Sequence, residues 1–177
     1  MSGVAASSLI VFAPVRSGAE ERLLAALDGL GRGDSSPFAR IRGTHFARWV
    51  FVPALTGPGD VRLEAEGAFL IMCADFDTSP QAWAAAMCEY AGAVLSPVMD
   101  CWDRFPGCED PGAVAAFFAR HNVPAGFTVA GYRRTTVDEV REALRLHDSL
   151  RALAIRVQRE CLDPSALRAA WSAASSR

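Results

Sequence analysis

Gly43-Thr44-His45-Phe46-Ala47-Arg48-Trp49-Val50-Phe51-Val52 is the stretch that decides how this chain folds. It is rich in β-branched and aromatic residues and is closed by Pro53, which predicts a long strand starting near Phe38. A strand alternates faces with period two. His45, Ala47, Trp49 and Phe51 are therefore expected on one face, and Phe46, Arg48, Val50 and Val52 on the other. Neither set is simply polar, so both faces are expected to be covered. The chain's own helices supply one cover, and a partner subunit or a ligand the other.

The flanking sequence supplies the rest of a sheet. Ser8 to Val15 holds Leu9, Ile10, Val11 and Phe12, a buried strand closed by Pro14. Ser17 and Glu20 are spaced as a capping box for a helix through Leu23, Leu24, Leu27 and Leu30 that stops at Gly31. Gly67 to Phe76 predicts a third strand. Ser79-Pro80 opens a helix carrying Trp83, Met87, Tyr90 and Val94, with Gly92 and Pro97 near its end. Cys101 to Glu109 reads as irregular. Asp110-Pro111 opens a short helix, and Gly126 to Tyr132 predicts a fourth strand. Thr136 to Glu139 is a second capping box, for a long helix through at least Arg159. Asp163-Pro164 breaks it before a short amphipathic tail.

The order βαββα(α)βα is that of an α+β, ferredoxin-like βαββαβ sheet with extra C-terminal helices. Residues 1–160 are read as one domain and 161–177 as a helical tail. Such a sheet carries helices on one face only, and the other face remains apolar here. An apolar face of that size is rarely left in water. The expected arrangement is a homodimer in which two sheets close an α/β barrel, the alternative being that the C-terminal helix covers its own sheet.

Composition narrows the function. About half of the 177 residues are apolar and the formal net charge is −2, which gives no electrostatic reason to expect nucleic acid or an anionic membrane. All 18 basic residues are arginine, so Schiff-base and P-loop lysine chemistry are excluded. The N-terminal residues lack a signal peptide's basic region and no stretch is long enough to span a bilayer, so a cytoplasmic location is expected. Five cysteines, an odd number, fit reduced thiols. Cys101 and Cys108 are close enough in sequence to pair, and nothing near them completes a zinc site, so no structural metal is expected.

The candidate site residues follow from the strands. His45, beside Trp49 in an apolar cavity, has the chemistry of a general base or a haem ligand. A buried Arg48 needs an anion, and the nearest acids are Asp75 and Asp77 at the end of the third strand. The pairing is either a strand-to-strand salt bridge or a pair that handles protons or a substrate carboxylate. His147 falls on the stripe Val140, Leu144, His147, Leu150, Ala154 and Val157, where it is a second candidate axial ligand for haem. Trp49, Phe51, Tyr132 and Arg133 are candidate substrate contacts, with Arg133 and Arg134 placed to clamp an anion.

The pair of segments Gly43 to Val50 and Leu70-Ile71-Met72-Cys73-Ala74-Asp75-Phe76-Asp77 resembles one found in small bacterial proteins with a dimeric α/β-barrel fold. The resemblance runs from Ser8 to about Leu150 and is most specific at the first segment. The wider superfamily holds haem proteins, among them dye-decolourising peroxidases, chlorite dismutases and aldoxime dehydratases, and also cofactor-free barrel monooxygenases. It implies a small oxidoreductase whose barrel binds haem or an aromatic molecule. His147 or His45 would be the axial ligand, and Arg48, Asp75 and Asp77 would handle protons or peroxide. Asp77 is aligned with the acid of the peroxidases' Gly-x-x-Asp-Gly motif, although Cys73 to Thr78 supplies neither glycine. Two alternatives accompany it. One is a cofactor-free monooxygenase, cyclase or isomerase acting on an aromatic or polyketide-like substrate. The other is a non-catalytic subunit that packs its sheet against a partner.

Overall fold

The computed structural model describes residues 6–53, 67–127, 135–160 and 163–175. Their architecture is mixed α+β, with a three-stranded antiparallel sheet and five α-helices. The strands are β1 (Ser7–Pro14), β2 (Thr44–Val52) and β3 (Phe69–Phe76). The helices are α1 (Glu20–Asp28), α2 (Pro80–Met99), α3 (Pro111–His121), α4 (Val137–Glu160) and α5 (Pro164–Ser175). The chain forms two compact units, 1–134 and 135–177. They divide ahead of α4, whereas the sequence reading ran the first domain on through it to 160.

Several boundaries follow local chemistry. The Ser79 hydroxyl accepts from the Ala82 amide and Pro80 begins α2. The Asp110 carboxylate accepts from the amides of Gly112 and Ala113 at the start of α3. Thr136 and Glu139 form the expected capping box at α4: the Thr136 amide donates to Glu139 Oε2, and the Glu139 amide to Thr136 Oγ1. The box expected at Ser17 is not formed. Gly18 turns with φ +76° and α1 starts only at Glu20, with no side-chain cap. Residues 37–40, expected in the second strand, form a 3-10 turn instead, and β2 starts at Thr44. Pro97 lies inside α2, which runs on to Met99.

The sheet order is β1-β3-β2, so β3 is central. Its even residues, Leu70, Met72, Ala74 and Phe76, are buried, and its odd residues are only partly covered. β1 divides the same way, with Leu9, Val11 and Ala13 buried and Ile10 and Phe12 less so. The buried side carries α1, α2 and α3. Its centre is aromatic: Trp83 stacks on Phe76, and Trp102 meets Trp49, Phe117 and Phe118. The apolar stripe of α2 is Trp83, Ala84, Met87, Ala91, Leu95 and Val98, while Tyr90 and Val94, expected beside Trp83, are exposed. Trp102, in a segment read as irregular, is fully buried and donates its indole N–H to the Leu70 carbonyl. No charged or polar residue is buried among the described residues.

The outer edge of β1 is met by the chain leaving α3. Val11 and Asn122 form an antiparallel bridge, and the Val123 amide donates to the Ile10 carbonyl. The fourth strand expected from Gly126 to Tyr132 falls almost wholly outside the described residues. In the second unit, α4 packs against α5, whose first turn is capped by Asp163 through the amides of Ser165 and Ala166. No described helix is long and apolar enough to cross a membrane.

Candidate functional site

An irregularity at the start of β2 builds the site. Thr44 stands opposite Phe76 and Phe46 opposite Asp75, so His45 is the extra residue of a β-bulge. Thr44 faces the helices, because its hydroxyl accepts from the buried Trp83 indole at 3.0 Å. Phe46 faces the opposite side with Asp75. The bulge thus changes the phase of the strand. Residues 47, 49 and 51 continue on the helix side, and His45 leaves them for the open side.

There His45 Nε2 lies 2.6 Å from Asp77 Oδ1, with side chains 28% and 11% exposed respectively. A carboxylate only accepts, so Nε2 donates its N–H to Asp77. The chain wraps this pair closely. Gly43 adopts φ +78°, its carbonyl accepts from the Asp77 amide at 2.9 Å, and a Cβ on it would lie 3.4 Å from Asp77 Cβ. Only a glycine takes that left-handed backbone without strain.

The open face extends from this pair across the sheet. Phe46, Arg48 and Val50 of β2 oppose Asp75, Cys73 and Ile71 of β3, which in turn oppose Ser8, Ile10 and Phe12 of β1. Phe12, Phe46 and Val50 are more than a third exposed. The Arg48 guanidinium lies 5.6 Å from the centre of the Phe46 ring, a cation–π contact. Its cross-strand neighbour is Cys73, and Asp75 is one step along the ladder. Four residues read from the sequence as candidates, His45, Arg48, Asp75 and Asp77, therefore share one face. Their pairing differs from the one expected: Asp77 holds His45.

The aromatic residues are corrected. Trp49 and Phe51 were expected to line a cavity with His45, but they lie on the helix side, where Trp49 meets Trp102 at 5.1 Å and Phe38 at 6.0 Å. The cause is the bulge, which shifts the alternation by one residue. Trp49 Nε1 is buried and has no hydrogen-bond partner among the described residues. Trp49 also borders a cleft of about 400 Å³ between β2 and residues 27–38, lined by Leu27, Leu30, Phe38, Arg32 and Arg48.

The two histidines proposed as haem ligands differ in their surroundings. His147 was expected in a dry stripe, yet its side chain is 70% exposed and Nδ1 is 3.5 Å from Asp148. Helix α4 is amphipathic, but Val140 and Leu144 of the same stripe are exposed as well, so burial does not prepare His147 for an iron. His45 retains one nitrogen, Nδ1, for a ligand. Tyr132, Arg133 and Arg134 lie outside the described residues. No cluster of three or more metal-ligating side chains occurs among the described residues.

The cysteines are also rearranged. Cys101 is buried and donates its thiol to the Pro97 carbonyl. Cys108, close enough to it in sequence to pair, lies instead against Gly92 of α2, one turn from Cys88. No protein-family model, curated protein or solved structure matches the chain.

Proposed function

We propose that this chain acts on an aromatic or polyketide-like small molecule bound against its open sheet face, with His45 as a general base oriented by Asp77 and without a metal. The observation that carries the reading is the 2.6 Å His45–Asp77 pair at the rim of that face. A carboxylate on one imidazole nitrogen fixes the tautomer and steadies the imidazolium that forms when the other takes a proton. Phe46, Ile10 and Phe12 offer flat apolar surface for a ring. Arg48 offers a cation for an enolate or phenolate, and Asp75 a second acid.

The assembly belongs to the same proposal. A ferredoxin-like domain has the sheet order β4-β1-β3-β2, and the β1-β3-β2 order with Asn122 bridging the edge of β1 is in keeping with it. Pairing of two open faces in a homodimer would close a barrel over the dyad and exclude water from it. A small oxidoreductase is included in the proposal where dioxygen accepts the electrons of the deprotonated substrate.

Turnover of a panel of phenols, naphthols and anthrones by metal-free protein tests the reading. His45→Ala is expected to lower kcat by about 10²–10⁴-fold, the usual contribution of a positioned general base. Asp77→Asn is expected to fall between that variant and the wild type. Panel-wide inactivity, or wild-type rates in His45→Ala, sinks it. Phe46→Asp with Val50→Asp is expected to convert a dimer to a monomer in sedimentation.

One observation favours haem as a second reading. An imidazole with a carboxylate on one nitrogen and the other open is also the usual state of a metal-ligating histidine. Added haem would then give a Soret band that is lost in His45→Ala and kept in His147→Ala.

A further inference from the structure

Cys88 lies in the third turn of α2, and Cys108 in the irregular segment between α2 and α3. Their thiols are near enough for each to shift the other's acidity. A second, independent contact fixes the segment on the helix: a Cβ built on Gly92 would meet Cys108 Cβ at 3.3 Å and its Sγ at 3.5 Å. Gly92 is one turn on from Cys88, on the same face of α2. The absent side chain at Gly92 is what lets the Cys108 side chain lie flat against that turn, beside Cys88. Both cysteines are partly exposed, whereas Cys101 is buried with its thiol committed to the Pro97 carbonyl. Two neighbouring thiols, both partly exposed and carried by separate elements, have the arrangement that an oxidant can join.

We propose that Cys88 and Cys108 form an oxidisable dithiol, a covalent modification site at which a small disulfide locks residues 101–110 to α2. The segment so locked carries Phe105, which packs on Trp102 and Phe117 in the aromatic centre. Closing the link therefore fastens the covering of that centre on the helix side. The site is separate from the open-face pair and does not depend on it.

Burial pushes the Cys88 thiol up to about 12. Burial pushes Cys108 up as well, with the Asp100 charge adding to it and the neighbouring Cys88 thiol offsetting part. Either thiol can open the exchange, and the course from Cys108 holds equally from Cys88. The Cys108 thiolate attacks one sulfur of the small disulfide, forming a mixed disulfide and releasing one thiolate. Cys88 then loses its proton to solvent and attacks Cys108 Sγ, expelling the second thiolate. Two protein thiols are oxidised and one small disulfide is reduced to two thiols, so atoms and electrons balance. Both acidities lie high, so the exchange is slow at neutral pH and accelerates as pH rises.

The test uses the full reduced chain and oxidised glutathione at mildly alkaline pH, with acid quench, alkylation and peptide mapping. Expected is a fall from five free thiols to three, a mass lower by two hydrogens, and a peptide joined through Cys88 and Cys108. In Cys88→Ser the reaction is expected to stop at a glutathione adduct on Cys108, and in Cys101→Ser the joined peptide still forms. Disulfides that instead use Cys73 or link two chains overturn the proposal. So does a wild-type protein that keeps Cys88 and Cys108 free at glutathione equilibrium. Because the wild-type mapping stands alone, misfolding of a variant does not rescue a negative result.

Discussion

Thr44→Val tests the bond that sets the phase of β2. The substitution keeps shape and removes the hydroxyl that accepts from Trp83 Nε1 at 3.0 Å. Trp83 is 1% exposed and is stacked between Phe76 and Phe38, so the indole has no room to turn its N–H to water. A buried donor left unsatisfied costs about 1–3 kcal/mol. The added methyl returns part of this, because Thr44 is only partly covered. A net loss of about 1.5 kcal/mol corresponds to a fall of roughly 0.5–1.5 M in the urea midpoint, with slopes of about 1–3 kcal/mol per molar. Trp83→Phe removes the donor as well as the acceptor's partner. In that background Thr44→Val is expected to cost far less, giving a coupling of about 1 kcal/mol in the double-mutant cycle. If the hydroxyl pins the bulge, the variant also loosens His45 from Asp77, and His45 Nδ1 and Nε2 chemical shifts should move in ¹⁵N spectra. A midpoint unchanged to within about 0.2 M in the wild-type background, or equal losses in both backgrounds, refutes the argument.

Three further outcomes follow. Gly43→Ala forces a Cβ into a backbone of φ +78° and against Asp77, and a loss of about 1–2 kcal/mol in chemical unfolding is expected; wild-type stability would show that the turn relaxes freely. Asp110→Ala removes an acceptor shared by the Gly112 and Ala113 amides and should cost about 0.5–2 kcal/mol, while Asp110→Asn retains most of it, as read by thermal melts. Native-state alkylation of Cys88 should rise about tenfold per pH unit from pH 8 to pH 11, the slope of a thiol titrating above that range. For stability the sign is the reverse: folded Cys88 holds its proton more tightly than the unfolded thiol, whose ordinary value is 9.0. Its contribution is therefore complete below about pH 9 and lost as pH climbs towards about 12, and a Cys88→Ser variant should lack that alkaline loss.

Sequence reading succeeded where the physics is local. Ser79, Asp110 and Thr136 each cap a helix by reaching an amide two or three residues away, and such a bond is legible in a short window. Ser17 shows the limit, since a left-handed Gly18 turns the backbone before the box can close. The three described strands were legible from runs of apolar residues. The division of β2 between two faces was not, because it depends on a partner 39 residues away, Trp83. The clue available was Thr44 itself, a hydroxyl at the start of a strand beside a left-handed glycine, where a bulge is an ordinary outcome. Cys88 and Cys108 were missed for a related reason: a helix–loop contact decides their pairing, while spacing alone pointed to Cys101.

The helix side of the sheet contains no buried charge among the described residues, so every charged group on the strands is driven to the open side or to an end. Without the bulge, His45 would stand with Ala47 and Trp49 under the helices, and its carboxylate partner Asp77 would be on the wrong face. One inserted residue removes that conflict. It leaves Trp49 and Phe51 in the core and delivers the imidazole to the acid. The open face then holds Arg48, Asp75, His45 and Asp77 among Ile10, Phe12, Phe46 and Val50, at partial exposure. Such a mixture is too charged for a core and too apolar to be a plain solvated surface. A face of that composition is stabilised best by an apolar body with a few placed polar atoms, which is the chemistry shared by an aromatic substrate and a second sheet.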